Sequence, residues 1–156
     1  VPATPDAVTV MIHEMPSEHY YRGGTASRGA PALPVPEEVV RAYLQSMEAL
    51  DLETARRFLG DGFVMHFPGA APMQDLAELM AWAAPRYQSV AKTYERFETA
   101  AGPHGTTVYC HGTLSGVWPD GSAFAGIRFI DRFEIDGDKI TRQDVWNDIA
   151  EVKGAE

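Results

Sequence analysis

The stretch Gly137-Asp138-Lys139-Ile140-Thr141-Arg142-Gln143-Asp144-Val145-Trp146-Asn147-Asp148-Ile149-Ala150-Glu151-Val152 reads as a turn followed by one strand. Gly137, between Asp136 and Asp138, supplies the positive φ that a tight hairpin needs. From Ile140 onward, strand geometry sends successive side chains to opposite faces. Asp144, Trp146, Asp148 and Ala150 then share one face, and Thr141, Gln143, Val145 and Asn147 share the other. A tryptophan beside a carboxylate near a strand end makes an apolar wall with one acid in it. Desolvation there raises a carboxyl pKa toward the range that general acid–base chemistry uses. The same pattern also fits a core tryptophan with an aspartate at the wet end of the strand.

Working back from this strand, three more of similar length precede it, giving four over about 89–99, 106–118, 122–135 and 139–152. Their connections, Gly102-Pro103-His104-Gly105, Pro119-Asp120-Gly121 and Asp136-Gly137-Asp138, are short. Short turns between long strands require antiparallel neighbours, so the four form a meander. Before them the period is helical. Pro36 suits a first helical turn, Glu37 and Glu38 suit its positive end, and Val39, Val40, Tyr43, Leu44, Met47 and Leu50 form one apolar face. Asp51 reads as the N-cap of a second helix over 52–59. A strand follows over 63–67, stopped by Pro68-Gly69, and a third helix runs over about 74–84. Helices first and a meander after is an α+β layout: a cone-shaped curved antiparallel sheet wrapped around helices.

The chain has 156 residues, 45% of them hydrophobic, which suits one core-bearing domain plus an extension. A net charge of −9 argues against nucleic acid or an anionic membrane as partner, since both need a basic face. No apolar run approaches the length of a membrane span and no secretory leader pattern is visible, so a cytoplasmic location is expected. The single cysteine, Cys110, lies mid-strand among apolar residues and reads as a buried thiol. His66, His111 and Asp148 have the make-up of a two-histidine, one-carboxylate site, but no HxH or HExxH spacing accompanies them. Neither a metal nor a cofactor is expected.

Residues 1–35 differ from the rest. An alternating stretch, Val8, Val10, Ile12 and Glu14, leads through a polar segment to Gly23-Gly24, Ala26 and Ser27, then to the linker Ala30-Pro31-Ala32-Leu33-Pro34-Val35-Pro36. The segment resembles the second half of a 4-oxalocrotonate tautomerase-like subunit. That family's amino-terminal catalytic proline, with the strand and helix it begins, has no counterpart here, because Pro2 follows Val1. No tautomerase activity is expected, and the 8–12 strand is expected to pair with a sheet edge or a second chain.

The second expected unit, 36–156, resembles the nuclear transport factor 2-like superfamily. The resemblance rests on the element order and on Val39-Val40-Arg41-Ala42-Tyr43, Leu50-Asp51-Leu52-Glu53, Gly62-Phe63-Val64-Met65-His66-Phe67-Pro68-Gly69, and Gly137-Asp138-Lys139-Ile140 with Asp148. The superfamily includes SnoaL-like polyketide cyclases, limonene-epoxide hydrolases, ketosteroid isomerases and members that only bind or associate. Asp148 matches the acid that the cyclases and epoxide hydrolases carry on the last strand. Trp146 matches the hydrolases' pocket tryptophan, and His66 their water-positioning asparagine. His111 and Thr113 stand where the hydrolases have an arginine and a second aspartate, so the relay of epoxide hydrolysis does not carry over. Tyr43 and Asp131 match the isomerases' oxyanion-hole tyrosine and neutral aspartic acid. Such a pair donates two hydrogen bonds to an enolate oxygen when burial keeps the aspartic acid protonated. Phe67 occupies the position of the isomerases' base. Alternation lets one of His66 and Phe67 face inward.

Taken together, these matches imply a pocket in which Asp148, His111 and Tyr43 are catalytic and His66, Phe67, Tyr109, Thr113, Asp131 and Trp146 bind. Plainer readings stay open: a half-buried strand histidine for His111, a core tyrosine for Tyr43, an ion pair to Arg128 or Arg132 for Asp131. Two functions follow. One is a cofactor-independent isomerase, cyclase or dehydratase acting on a small apolar, carbonyl-bearing or cyclic molecule. The other is a non-catalytic module that binds a ligand or forms a homodimer through the outer sheet face. An open cavity floored by Asp148 and His111 would favour the first; a filled interior, or Asp148 paired to an arginine, the second.

Overall fold

A computed structural model describes residues 11, 13, 19, 21–26, 33–102 and 105–153, and the chain divides into two compact units, Val1–Ala32 and Leu33–Glu156. In the first unit, strands β1 (Tyr21–Arg22) and β2 (Thr25–Ala26) pair antiparallel across Gly23-Gly24. Both glycines have positive φ, +60° and +78°, as a two-residue hairpin requires. The strand expected over 8–12 falls almost wholly outside the described residues.

The second unit begins with α1 (Pro36–Glu48) and α2 (Leu52–Arg56). α1 starts on its proline, carries Glu37 and Glu38 in the first turn and buries Val39, Val40, Tyr43 and Leu44. Leu50 does not extend that face: at φ +57° it turns the chain, and its side chain is exposed. The Asp51 carboxylate accepts from Thr54 N–H at 3.0 Å and caps α2, an interaction worth about 1 kcal/mol. α2 ends earlier than expected, because Leu59 already belongs to β3 (Leu59–His66). Gly62 lies within that strand at φ +72°. Asp75 caps α3 (Leu76–Ala83), which buries Leu76 and Leu79.

Strands β4 (Ser89–Gly102), β5 (Gly105–Val117), β6 (Ala123–Asp136) and β7 (Lys139–Asn147) form the expected antiparallel meander. β3 joins its far side parallel to β7, giving the order β3-β7-β6-β5-β4. The result is an α+β fold with a curved five-stranded sheet and helices. β7 is shorter than the sequence suggested: it stops at Asn147, and Ile149–Lys153 form a short helix, α4.

Three bulges in the meander curve it and decide which side chains face its inside. Glu95 is the extra residue between the Tyr94↔Gly112 and Arg96↔His111 pairs. Gly112 permits this close approach, since a Cβ there would lie 1.9 Å from the Thr93 carbonyl oxygen. A second bulge falls at Ala125-Gly126, between the Phe124↔Gly116 and Ile127↔Leu114 pairs. The third is Thr141, between the Ile140↔Ile135 and Arg142↔Glu134 pairs. The inner face then carries Val108, Cys110, Leu114, Phe124, Ile127, Phe129, Phe133, Ile135, Ile140 and Val145, all buried, with Tyr43 of α1 among them. Burying each of the larger of these side chains contributes about 1.5–3 kcal/mol.

Candidate functional site

The bulge at Thr141 reverses the expected assignment of faces on β7. Unbroken alternation from the core residue Ile140 would carry Asp144, Trp146 and Asp148 inward with it. The extra residue shifts the phase, so Gln143, Val145 and Asn147 align with the inner residues Phe133, Asp131 and Phe129 of β6. Asp144 and Trp146 align instead with the outer residues Arg132 and Ile130. One residue of phase moves a whole side-chain set across a sheet.

Most of the expected site therefore lies outside the cone. Trp146 is 51% exposed beside Ile130, itself 38% exposed. Asp148 follows β7 on the surface and accepts from Arg128 Nε at 2.6 Å. Tyr109, His111 and Thr113 do share a face, but it is the outer one; Val108, Cys110, Gly112 and Leu114 hold the inner positions of β5. His111 Nδ1 lies 3.6 Å from Glu95 Oε2, away from Asp148. His66 is also outward, with Nδ1 3.0 Å from Asp144 Oδ1 but not aligned for a hydrogen bond. Phe67, the next residue, packs toward the core against Trp82, ring centroids 5.3 Å apart.

Asp144 is the centre of the outer polar network. Arg132 Nη1 and Arg142 Nε each donate to it at 2.9 Å, and Arg132 Nη2 donates to Glu134 at 2.6 Å. Burial acts to raise the Asp144 pKa, but the hydrogen bonds and charges of Arg142 and Arg132 outweigh it and hold the carboxyl below its ordinary value. Glu134 heads the groups that hold the Arg132 pKa above its usual value.

Besides Phe67, two of the expected residues point inward: Tyr43 and Asp131. They meet two others that the sequence reading passed over, Lys92 and Gln143. Asp131 is fully buried and its Oδ2 accepts from Lys92 Nζ. The ammonium also lies 4.5 Å from the centre of the Phe129 ring. Tyr43 donates its hydroxyl to Gln143 Oε1 at 3.1 Å and meets Phe133 edge-on. Gln143 lies near Asp131 but makes no well-formed hydrogen bond to Oδ1, which is buried without a partner. Tyr94 completes the wall, edge-on to Phe129 and tilted against Phe97.

Burial governs the electrostatics here. It pushes the Asp131 carboxyl above the ordinary carboxylate range, with the Lys92 ammonium pulling the other way. Burial and the Asp131 charge raise the Tyr43 and Tyr94 hydroxyls. The same two causes push the Cys110 thiol up to about 12, which keeps it unreactive. Lys92 was detectable from alternation. It shares the face of Tyr94, and its position opposite Leu114 makes that face the inner one.

Two pockets, of about 260 Å³ and 440 Å³, lie elsewhere, beside residues 33–36. Val39, Phe58 and Lys139 line the smaller, Val35, Ile135 and Gly137 the larger; neither reaches Lys92 or Asp131. Around that pair the interior is packed with side chains. Lys92, 22% exposed, is the member that reaches toward solvent. Among the described residues, no group of three His, Cys, Asp or Glu could hold a metal ion, and no helix is long and apolar enough to cross a membrane.

No curated protein matches the sequence. The chain is similar in structure to an NTF2-like protein from Burkholderia thailandensis, with a TM-score of 0.65 and 17% identity over 79% of this chain and 98% of that one. It is similar to a candidate polyketide cyclase from Xanthomonas campestris, with a TM-score of 0.59 and 16% identity over 75% and 93% of the two chains. It is also similar to an LEH-like epoxide hydrolase from M. tuberculosis, with a TM-score of 0.56 and 19% identity over 75% and 85%. At such identities the likeness shows the fold, which is nuclear transport factor 2-like. The model of the SnoaL-like domain matches residues 40–143, from α1 into β7, and so spans Tyr43, Lys92, Asp131 and Gln143: the chain belongs to the SnoaL-like domain family.

Proposed function

We propose that this SnoaL-like domain takes up a small apolar, carbonyl-bearing or cyclic molecule and acts on it as a cofactor-independent acid–base enzyme of the isomerase, cyclase or lyase kind. Its working groups are Lys92 and Asp131. The observation that carries this reading is the unpartnered, buried Oδ1 of Asp131 beside an ammonium, inside aromatic walls. A raised carboxyl that keeps one oxygen free can accept a proton from a carbon next to a carbonyl. An adjacent ammonium can donate to the carbonyl oxygen as negative charge develops on it. Tyr43, whose hydroxyl is taken up by Gln143, then fixes the amide beside the pair and is a positioning residue. The polyketide cyclase and epoxide hydrolase names among the similar structures support a small-molecule substrate.

Deuterium exchange next to the carbonyl of 2-tetralone in D2O, followed by NMR, tests this reading. The wild-type chain should accelerate exchange over buffer, and Asp131→Asn should lose about 10²–10⁴ of that acceleration. No acceleration by the wild type, or an unchanged rate in Asp131→Asn, contradicts it.

A second reading, the non-catalytic module, is the one that the Asp148–Arg128 pair and the packed interior favour, and it has an observation of its own. Ile130 and Trp146 are cross-strand neighbours, exposed near the middle of the outer face, and charges of both signs surround them. Such a patch is self-complementary, as a two-fold interface must be. We infer a homodimer through this face, with association as its role if the packed interior admits no substrate. Light scattering should give twice the chain mass for wild type and a monomer for Trp146→Asp; a monomeric wild type contradicts it.

A further inference from the structure

The outer-face homodimer also carries a means of release, an inference that rests on the association reading above. We propose that protonation of His111 dissociates the dimer, so that the outer sheet face is a pH-sensitive interface between two copies of this chain.

The register of the sheet puts His111 in that interface. On the outer face, β4 to β7 align Arg96, His111, Ile130 and Trp146 in one row, each opposite the next. A contact that covers the exposed Ile130 and Trp146 therefore reaches His111, the direct neighbour of Ile130. The charge of the face fits a second copy as its occupant. The chain has a net charge of −9, so two copies repel one another over most approaches. On this face, however, the guanidiniums of Arg96, Arg128, Arg132 and Arg142 stand among the carboxylates of Glu95, Glu98, Glu134, Asp144 and Asp148. The two signs nearly balance, and two copies can meet here with little repulsion.

The groups around His111 decide the direction of the switch. Arg96 of β4 stands opposite it, and Arg128 and Arg132 of β6 stand diagonally on either side of Ile130. Each of these guanidiniums already holds a carboxylate: Arg96 holds Glu98 at 2.9 Å, Arg128 holds Asp148 at 2.6 Å, and Arg132 holds Glu134 and Asp144 at 2.6 and 2.9 Å. The neighbours along β5 on this face, Tyr109 and Thr113, supply no carboxylate. The nearest acid is Glu95 in the β4 bulge, with Oε2 3.6 Å from His111 Nδ1, too far for a hydrogen bond. In the free chain, water solvates an imidazolium at this position. Between two sheets it would lose that water and keep three guanidiniums around it, with one loosely placed carboxylate in compensation. A neutral imidazole meets neither cost. The free chain therefore takes up the proton more readily than the dimer, and the state that binds more protons gains as pH falls. Imidazole changes charge between pH 5 and 8, and each dimer encloses two copies of His111. The dissociation constant can then rise by up to about a hundredfold for each pH unit once the free imidazole protonates. His66 lies at the β3 end of the same face, but its proton would be compensated by Asp144, 3.0 Å away.

Analytical ultracentrifugation of the full chain at pH 7.5 and 5.5, at one ionic strength, tests this, with circular dichroism to check that the chain stays folded. Wild type should be a dimer at pH 7.5, and its dissociation constant should rise at least about tenfold at pH 5.5. His111→Gln should dimerise at both pH values with nearly equal affinity, and His66→Gln should respond as wild type does. A wild-type dimer that is equally tight at both pH values or tightens in acid overturns the proposal and leaves the homodimer standing. So does a His111→Gln chain that still loosens, a His66→Gln chain that no longer does, or a wild type that unfolds at pH 5.5. A wild-type chain that is monomeric at both pH values removes the homodimer and this switch together.

Discussion

The inner and outer faces of β4–β7 both carry ion pairs, yet they treat a carboxylate in opposite ways. Inside, Asp131 is fully buried, has one cation and keeps an oxygen without a well-formed bond, so burial raises it. Outside, Asp144 is also largely buried, but two guanidiniums and His66 converge on it and it is held low. The difference teaches that burial alone does not tune an acid. The number of donors that reach it decides the sign. A low, saturated carboxylate suits holding strands together, and a raised one suits the proton exchange that the proposed function asks of it.

The comparison can be broken first at Lys92. Lys92→Met leaves Asp131 buried and unpaired, and at neutral pH should cost about 3–5 kcal/mol of stability by denaturant unfolding. Lys92→Met/Asp131→Asn should recover most of that loss. A single variant as stable as wild type would show that the pair is not a desolvated one.

On the outer face the expected effect is smaller. Asp144→Asn removes the charge that two partly exposed guanidiniums share and should cost about 2 kcal/mol at neutral pH. Because the folded pKa of Asp144 is depressed, its stabilisation is present above the unfolded carboxylate value of about 3.9 and is lost as pH falls through the folded value. The gap between wild type and variant should therefore close in acid. A constant gap would mean the loss is one of shape rather than charge. Asp131 should behave with the opposite sign. Its folded pKa is raised, so wild-type stability should fall as pH climbs from about 3.9 through that folded value, and Asp131→Asn should remove this decline.

Asp148→Asn should have the smallest effect. Its arginine partner is exposed, so the change should fall within about 0.5 kcal/mol, and tetralone exchange should stay at the wild-type rate. A loss of exchange in this variant would return the site to the end of β7.

How far the sequence could be read differs between fold and site for one physical reason. Helix faces and hairpin turns are local, so Pro36, Asp51, the Val39-to-Leu44 face and the Gly137 turn sufficed to place the elements. The inward face of a strand depends on its phase, and a single bulge changes it. Thr141 carries no bulge signal, so the phase started at Ile140 ran on and put Trp146 and Asp148 inside. On β5 the apolar alternation of Val108, Cys110 and Leu114 did mark the inner face, but the chemically attractive Tyr109, His111 and Thr113 drew the assignment to the other. Tyr43 and Asp131 came from resemblance. Lys92 was within reach of alternation, whereas the free oxygen of Asp131 depends on three-dimensional packing.

The most direct measurement is the titration of the Asp131 carboxyl by carbon-13 NMR in wild type and Lys92→Met. Asp131 should titrate above the ordinary carboxylate value of about 3.9 in the wild type, and higher still once the ammonium is removed. An Asp131 that titrates at or below that value, or that does not respond to the loss of Lys92, would contradict a desolvated acid–base pair inside the cone.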